Sequence, residues 1–276
     1  MDHWILNYKK PAEAWYEALP MGNGSIGAIS YGRFQNEKIE LNLDTLWSGN
    51  GRSKLNQNGS ADLDYLRNLV LNQRYQEAEE YCREHILGDW TESYLPAGTL
   101  HIDMKLPEEN AKSYMRRLSL NQAVEKVICA YEDTTYQREV FVSMADPVMA
   151  VHYHTEKEQE MLMEISLDSE IQHKTFALDT ESLCICGETP TYVAPPYYEC
   201  QEPIRYSEGE GIRFAMGLHV ETPSGNVKIK NNTLQICAKG DIFLYFTGVT
   251  DFGRKEDTLN LPEECAKSSE DWSMKN

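Results

Sequence analysis

Leu100-His101-Ile102-Asp103-Met104-Lys105-Leu106 alternates apolar and polar side chains without a break. A strand sends successive side chains to opposite faces, so the leucines, Ile102 and Met104 share one face and the polar residues share the other. One greasy and one wet face is the pattern of an antiparallel sheet lying on a core. The same period recurs at Met161, Met163, Ile165 and Leu167. Val227 and Ile229 are joined to Leu234 and Ile236 across Asn231-Asn232, a pair that tolerates the positive φ of a tight hairpin turn. Further strands are expected over 25–32, 36–42, 123–131, 134–142, 147–154, 182–188, 211–221 and 241–247. Many short strands separated by turns predict a mostly-β chain folded as a large antiparallel β-sandwich.

One stretch departs from period two. Between 61 and 87 the apolar residues take helical spacing, with Leu63, Leu66, Leu69 and Val70 followed by Tyr75, Ala78, Cys82 and Ile86. Asn72-Gln73-Arg74 is expected to separate two short helices and Gly88 to stop the second. A helical insertion flanked by the polar stretch 49–60 reads as an excursion on the rim of the sandwich. Beyond Phe252 the chain turns polar and weakly helical around Pro262-Glu263-Glu264-Cys265-Ala266-Lys267. The sandwich is therefore expected over 1–252 and the start of a linker over 253–276.

The chain has 276 residues, 41% of them hydrophobic, enough to bury a substantial core. Its formal net charge of -18 repels phosphate backbones and anionic lipid surfaces, which argues against nucleic-acid and membrane partners. Neutral sugars remain compatible. No stretch has the length of a transmembrane span, and Met1-Asp2-His3-Trp4-Ile5-Leu6-Asn7 has no signal-peptide character, so a cytoplasmic location is expected. The seven cysteines are odd in number and scattered, a pattern that fits a reducing compartment.

The residues themselves offer little self-sufficient chemistry. Glycosidic hydrolysis needs two carboxyl groups flanking the bond. Glu17 beside Trp15, Asp44 before Trp47, and Glu139 have distinctive settings, yet each reads more simply as a surface or ion-paired carboxylate. Met21-Gly22-Asn23-Gly24-Ser25-Ile26-Gly27 lacks the Lys-Ser/Thr ending of a phosphate loop and leads into a strand, so it reads as a tight turn. His152-Tyr153-His154 puts two imidazoles on one strand face without an assignable third ligand, and Cys184-Ile185-Cys186 has no second thiol pair. Metal and cofactor are both expected to be absent. Tyr192, Tyr197 and Tyr198 lie among prolines, in a loop able to stack on a sugar or simply to pack.

The opening of the chain carries a longer pattern. Pro11-Ala12, Trp15, Glu17-Ala18-Leu19-Pro20-Met21-Gly22-Asn23-Gly24-Ser25-Ile26-Gly27-Ala28 is followed by Glu37-Lys38-Ile39-Glu40-Leu41-Asn42 and Asp44-Thr45-Leu46-Trp47-Ser48-Gly49. Shorter pieces follow in order: Arg74-Tyr75 with Ala78-Glu79, then Tyr94, Pro96, Gly98 and Leu100, then Tyr136, Arg138-Glu139-Val140-Phe141 and Ser143, and last Thr250-Asp251-Phe252. Together they resemble the N-terminal domain of glycoside hydrolase family 95, the α-L-fucosidases and their α-L-galactosidase relatives. The run Leu41–Gly49 argues against the similar sandwich of the maltose-phosphorylase-type enzymes. Leu43, Thr99 and the loop Pro190–Tyr197 depart from that family, which commonly has Glu, Asp and a His- and Asp-bearing loop there.

The resemblance implies a longer polypeptide in which a linker leads to an (α/α)6 barrel holding the acid and base of an inverting reaction. This chain would then carry no catalytic residue, and its partners would be that barrel and an oligosaccharide. Asn23, Asn42, Asp44 and Trp47 are the expected wall of the sugar pocket, through indole stacking and bonds to hydroxyls. Turn and strand-end scaffolding is the plainer account of the four. The competing class is a free-standing carbohydrate-binding module.

Overall fold

A computed structural model describes residues 4–49, 62–88, 91–106, 111–156, 159–253 and 262. Two large antiparallel sheets and a small ribbon account for its strands. The nine-stranded sheet runs, in spatial order, β1 (Ile5–Tyr8), β6 (Ser113–Ser119), β7 (Val124–Tyr131), β8 (Thr134–Val142), β9 (Met149–Thr155), β18 (Asp241–Thr250), β15 (Arg213–Glu221), β12 (Ser182–Glu188) and β11 (His173–Ala177). The seven-stranded sheet runs β16 (Gly225–Lys230), β17 (Thr233–Lys239), β10 (Glu160–Asp168), β5 (Gly98–Met104), β4 (Asn36–Leu43), β3 (Ile26–Ser30) and β2 (Leu19–Gly22). β13 (Tyr192–Val193) and β14 (Ile204–Arg205) form the ribbon.

The alternation from Leu100 to Met104 is what joins the sheets. Leu100, Ile102 and Met104 of β5 are buried while His101 faces solvent. They meet Leu41, Met163 and Ile165 from their own sheet and Val151, Met216, Leu244 and Phe246 from the other in one continuous core. The Asn231-Asn232 turn has φ values of 51° and 58°, the doubly left-handed geometry its sequence predicts. Every strand expected from periodicity is present within a few residues of its expected bounds.

β1, β2, β6, β11 and the ribbon were not legible in the pattern. In β6 the inward face carries Arg116, buried but charged, beside Leu118, so the hydropathy period is broken. The helical insertion is present as α1 (Leu63–Leu71) and α2 (Tyr75–Tyr81), with Leu69 and Ala78 as its buried positions. Gln73 at φ 61° makes the break at Asn72-Gln73-Arg74. α2 continues as a π-helical turn, Cys82–Ile86, and the chain extends at Leu87, one residue before the expected stop at Gly88. Most of the expected linker lies outside the described residues, as does most of the polar stretch 49–60. Among the described residues no helix is long and apolar enough to cross a membrane.

Candidate functional site

β4 ends at Leu43, and the next six residues form the best-defined candidate surface. Leu46 is fully buried and anchors the turn. Its carbonyl accepts from Leu95 N at 3.0 Å, and Ser48 N donates to Ser93 O at 2.9 Å. Buried Ser48 also donates its hydroxyl to Glu92 at 2.9 Å and accepts from Ser93 N at 2.9 Å. Gly49 N donates to Pro190 O at 2.9 Å. Gly49 has φ 83°, and a Cβ there would lie 2.1 Å from Glu92 Oε1, so glycine is required. Thr45 Oγ1 meets Thr250 Oγ1 at 2.6 Å, tying the turn to the nine-stranded sheet.

This fixed turn presents Trp47. Its indole N–H donates to Asp44 O at 2.9 Å, and its ring meets Tyr94 with centroids 5.1 Å apart at 55°. Both rings stay open, Trp47 38% and Tyr94 46% exposed. An open, oriented indole–phenol pair is able to stack on a sugar ring. The Asp44 side chain is exposed beside it.

Asn23 and Asn42 serve differently. The Asn23 amide oxygen accepts from Ser25 N at 2.9 Å and Ile26 N at 2.8 Å, closing the β2–β3 turn. Its Nδ2 donates to Ser143 O at 2.8 Å, bridging the two sheets. Asn42 lies half-buried on the outward face of β4 opposite Gly27. The turn and its neighbour thus bring Asp44 and Trp47 together, whereas the Asn23 amide is largely committed to scaffolding. Tyr94 was present in the sequence pattern but not singled out, because its partner is set by an isolated bridge rather than by spacing.

The other motif residues prove structural. Arg138 is fully buried, with Nη1 2.7 Å from Glu37 Oε2 and Nη2 3.1 Å from Glu125 Oε2. Thr250-Asp251-Phe252 ends β18, where Asp251 accepts from Arg213 N at 2.8 Å and Arg213 Nε at 2.7 Å. Glu17 accepts from Glu13 N at 2.9 Å, and that bond, followed by the one from Ala14 N, holds its carboxyl below the usual value. Glu139 pairs with Lys126 at 2.8 Å on the strand surface.

Burial pushes the Cys184 thiol up to about 12 and raises that of Cys186, the opposite of a thiolate ligand pair. Tyr192 packs under Arg205, whereas Tyr197 and Tyr198 are exposed. His152 and His154 do find a third group, Asp241, which belongs to a different strand and so was invisible to spacing. A separate open groove of about 780 Å³ is lined by Lys174, Glu188, Tyr206 and Arg213 among others. Of its acids, Glu188 already accepts from Gly209 and Gly211 N–H groups.

Comparison with known proteins gives a glycosyl hydrolase N-terminal domain with fucosidase relatives at low identity. Residues 6–255 match the family described as "Glycosyl hydrolase family 65, N-terminal domain". Over 228 residues, 80% of the chain, it is 28% identical to "Alpha-L-fucosidase 2" of Arabidopsis thaliana. Over 140 residues, 48% of the chain, it is 28% identical to the "Probable alpha-fucosidase A" of Aspergillus niger. The matched regions cover only 27% and 17% of those proteins. Among solved structures, the "Putative kojibiose phosphorylase from human microbiome" superposes on 98% of the chain with TM-score 0.56 at 9% identity, covering 35% of that protein. At that identity the likeness speaks for the fold alone.

Proposed function

The chain belongs to the glycosyl hydrolase family 65 N-terminal domains, and on that premise we propose that it is the non-catalytic sandwich of a longer inverting exo-α-glycosidase. Within that class the reading is an α-L-fucosidase of family 95 character acting on fucosylated oligosaccharides, with an α-L-galactosidase as its nearest variant. The fucosidase relatives support the substrate class, and the runs Leu19–Ala28 and Leu41–Gly49 support family 95 character. The observation that carries the reading is the Trp47–Tyr94 pair. The Leu41–Gly49 run ends in a turn pinned from three sides, yet it leaves an indole open at the sandwich edge.

In this reading a catalytic barrel supplies the acid that protonates the leaving oxygen and the base that activates water. The sandwich packs against it and adds Trp47, Asp44 and the nearby Asn23 and Asn42 as one wall of the sugar pocket. Purified 276-residue chain is therefore expected to release no fucose from an aryl α-L-fucoside, and robust turnover would refute the assignment. In the full-length enzyme, Trp47→Ala is expected to lower kcat/KM roughly threefold to tenfold, the worth of one aromatic contact. Unchanged kinetics would remove Trp47 from the pocket. Release of a sugar 1-phosphate instead of free fucose would place the parent with the phosphorylases.

The same open pair also suits a free-standing binding module. Titration of fucosylated oligosaccharide into the isolated chain separates the two: saturable binding favours the module, and silence favours a domain that needs its barrel.

A further inference from the structure

On β9, Tyr153 points into the core while its neighbours His152 and His154 face outward from the nine-stranded sheet. β18 runs antiparallel beside it, with Asp241 opposite His154 and Phe243 opposite His152. That register brings one carboxylate oxygen, Asp241 Oδ1, to 2.7 Å from His152 Nε2 and 2.8 Å from His154 Nδ1. All three donor atoms lie within 4.8 Å of one another. Two ring nitrogens and an acid thus converge on one point from a rigid two-strand frame.

The frame is well supported. The His152 ring stacks on Phe243 with centroids 4.4 Å apart and planes 7° from parallel, which fixes its orientation. The Asp241 carbonyl accepts from Thr222 Oγ1 at 3.1 Å, and Gly240 O accepts from Thr155 N at 3.2 Å, holding the start of β18 in place. The three side chains remain 31–39% exposed, so an ion has an open approach and room for water ligands.

We propose that His152 Nε2, His154 Nδ1 and the Asp241 carboxylate bind a divalent transition-metal ion of the zinc class, with water completing its coordination. Imidazole with carboxylate suits zinc, copper, nickel and iron(II) rather than calcium or magnesium. Three protein ligands with one open position is a recurrent zinc arrangement. Because the ligands come from two adjacent strands, the ion would clip β9 to β18 and stabilise the folded chain by mass action. The ordinary alternative is a carboxylate that only accepts two imidazole N–H bonds.

The test uses the chain stripped with chelator and titrated with zinc chloride, followed by calorimetry and by thermal unfolding. One equivalent is expected to bind and to raise the melting temperature. Asp241→Asn and His152→Gln are each expected to weaken binding by at least about tenfold, whereas Cys186→Ser leaves it unchanged. Cobalt(II) bound to the unaltered chain should show visible bands without thiolate charge transfer, a readout that stands even if a variant folds poorly. No binding by the stripped chain, binding that survives loss of all three side chains, or a thiolate band would each overturn the proposal.

Discussion

Arg138→Met is expected to cost about 3–5 kcal/mol of folding stability, measured by urea unfolding at neutral pH. Arg138 lies between Glu37 and Glu125 with no exposed side-chain surface on either contact. It also donates to Ser30 Oγ at 3.0 Å and Arg33 O at 3.3 Å. Ser30 Oγ in turn lies 3.1 Å from Glu37 and 3.0 Å from Glu125 and shares its one proton between them, and Tyr31 and Gly32 N–H groups donate to Glu37 at 3.0 and 3.2 Å. Methionine fills the volume but leaves two acids in the core without their cation, and uncompensated buried charge is what dominates such losses.

The pH dependence fixes the mechanism. Burial raises the Glu37 carboxyl above its ordinary 4.5, and Arg138 is the largest influence pulling it back down. Removing the guanidinium lets it rise further. A raised acid binds its proton more tightly in the folded state, so folding gains stability as pH falls from the raised value toward 4.5. The deficit of Arg138→Met relative to the parent should therefore shrink in mildly acidic buffer. A deficit that stays constant, or a loss below about 1 kcal/mol at neutral pH, would mean that packing rather than charge decides the site.

The same cluster shows why sequence reading reached the fold further than the site. Alternation at Leu100–Met104 is a local property of one strand, and burial follows from it directly. Glu37, Glu125 and Arg138 sit at inward positions of three strands, where a charged residue in a period-two pattern reads as outward or as noise. Only the ladder partners reveal that each charge answers another. Asp44 and Trp47 were legible because they lie within one turn, three residues apart. Tyr94 and Asp241 were not, because their partners arrive from distant chain segments through registers that no spacing rule encodes. The Asn23 amide was legible as a turn former, and that is where most of its hydrogen bonds go.

Phe246→Ala is expected to be as damaging as the loss of Arg138, for an apolar reason. β18 lies inside the nine-stranded sheet between β9 and β15, and Phe246 is paired with Met149 on one side and Leu218 on the other. Its ring is fully buried in the core shared by both sheets. Truncation removes the apolar transfer energy and leaves a void that flanking strands cannot close without breaking their ladders, about 3–5 kcal/mol. For a domain of this size the melting temperature should fall on the order of 10 °C. Tyr197→Ala, at a position 78% exposed, is the matched control and should change stability by less than about 0.5 kcal/mol. β18 also carries Asp241 at its first residue and Thr250, the partner of Thr45, at its last. Loosening its centre should therefore weaken zinc binding at one end and the Trp47 turn at the other. A Phe246→Ala protein that melts like the parent would show that the two sheets do not depend on this ring for their contact.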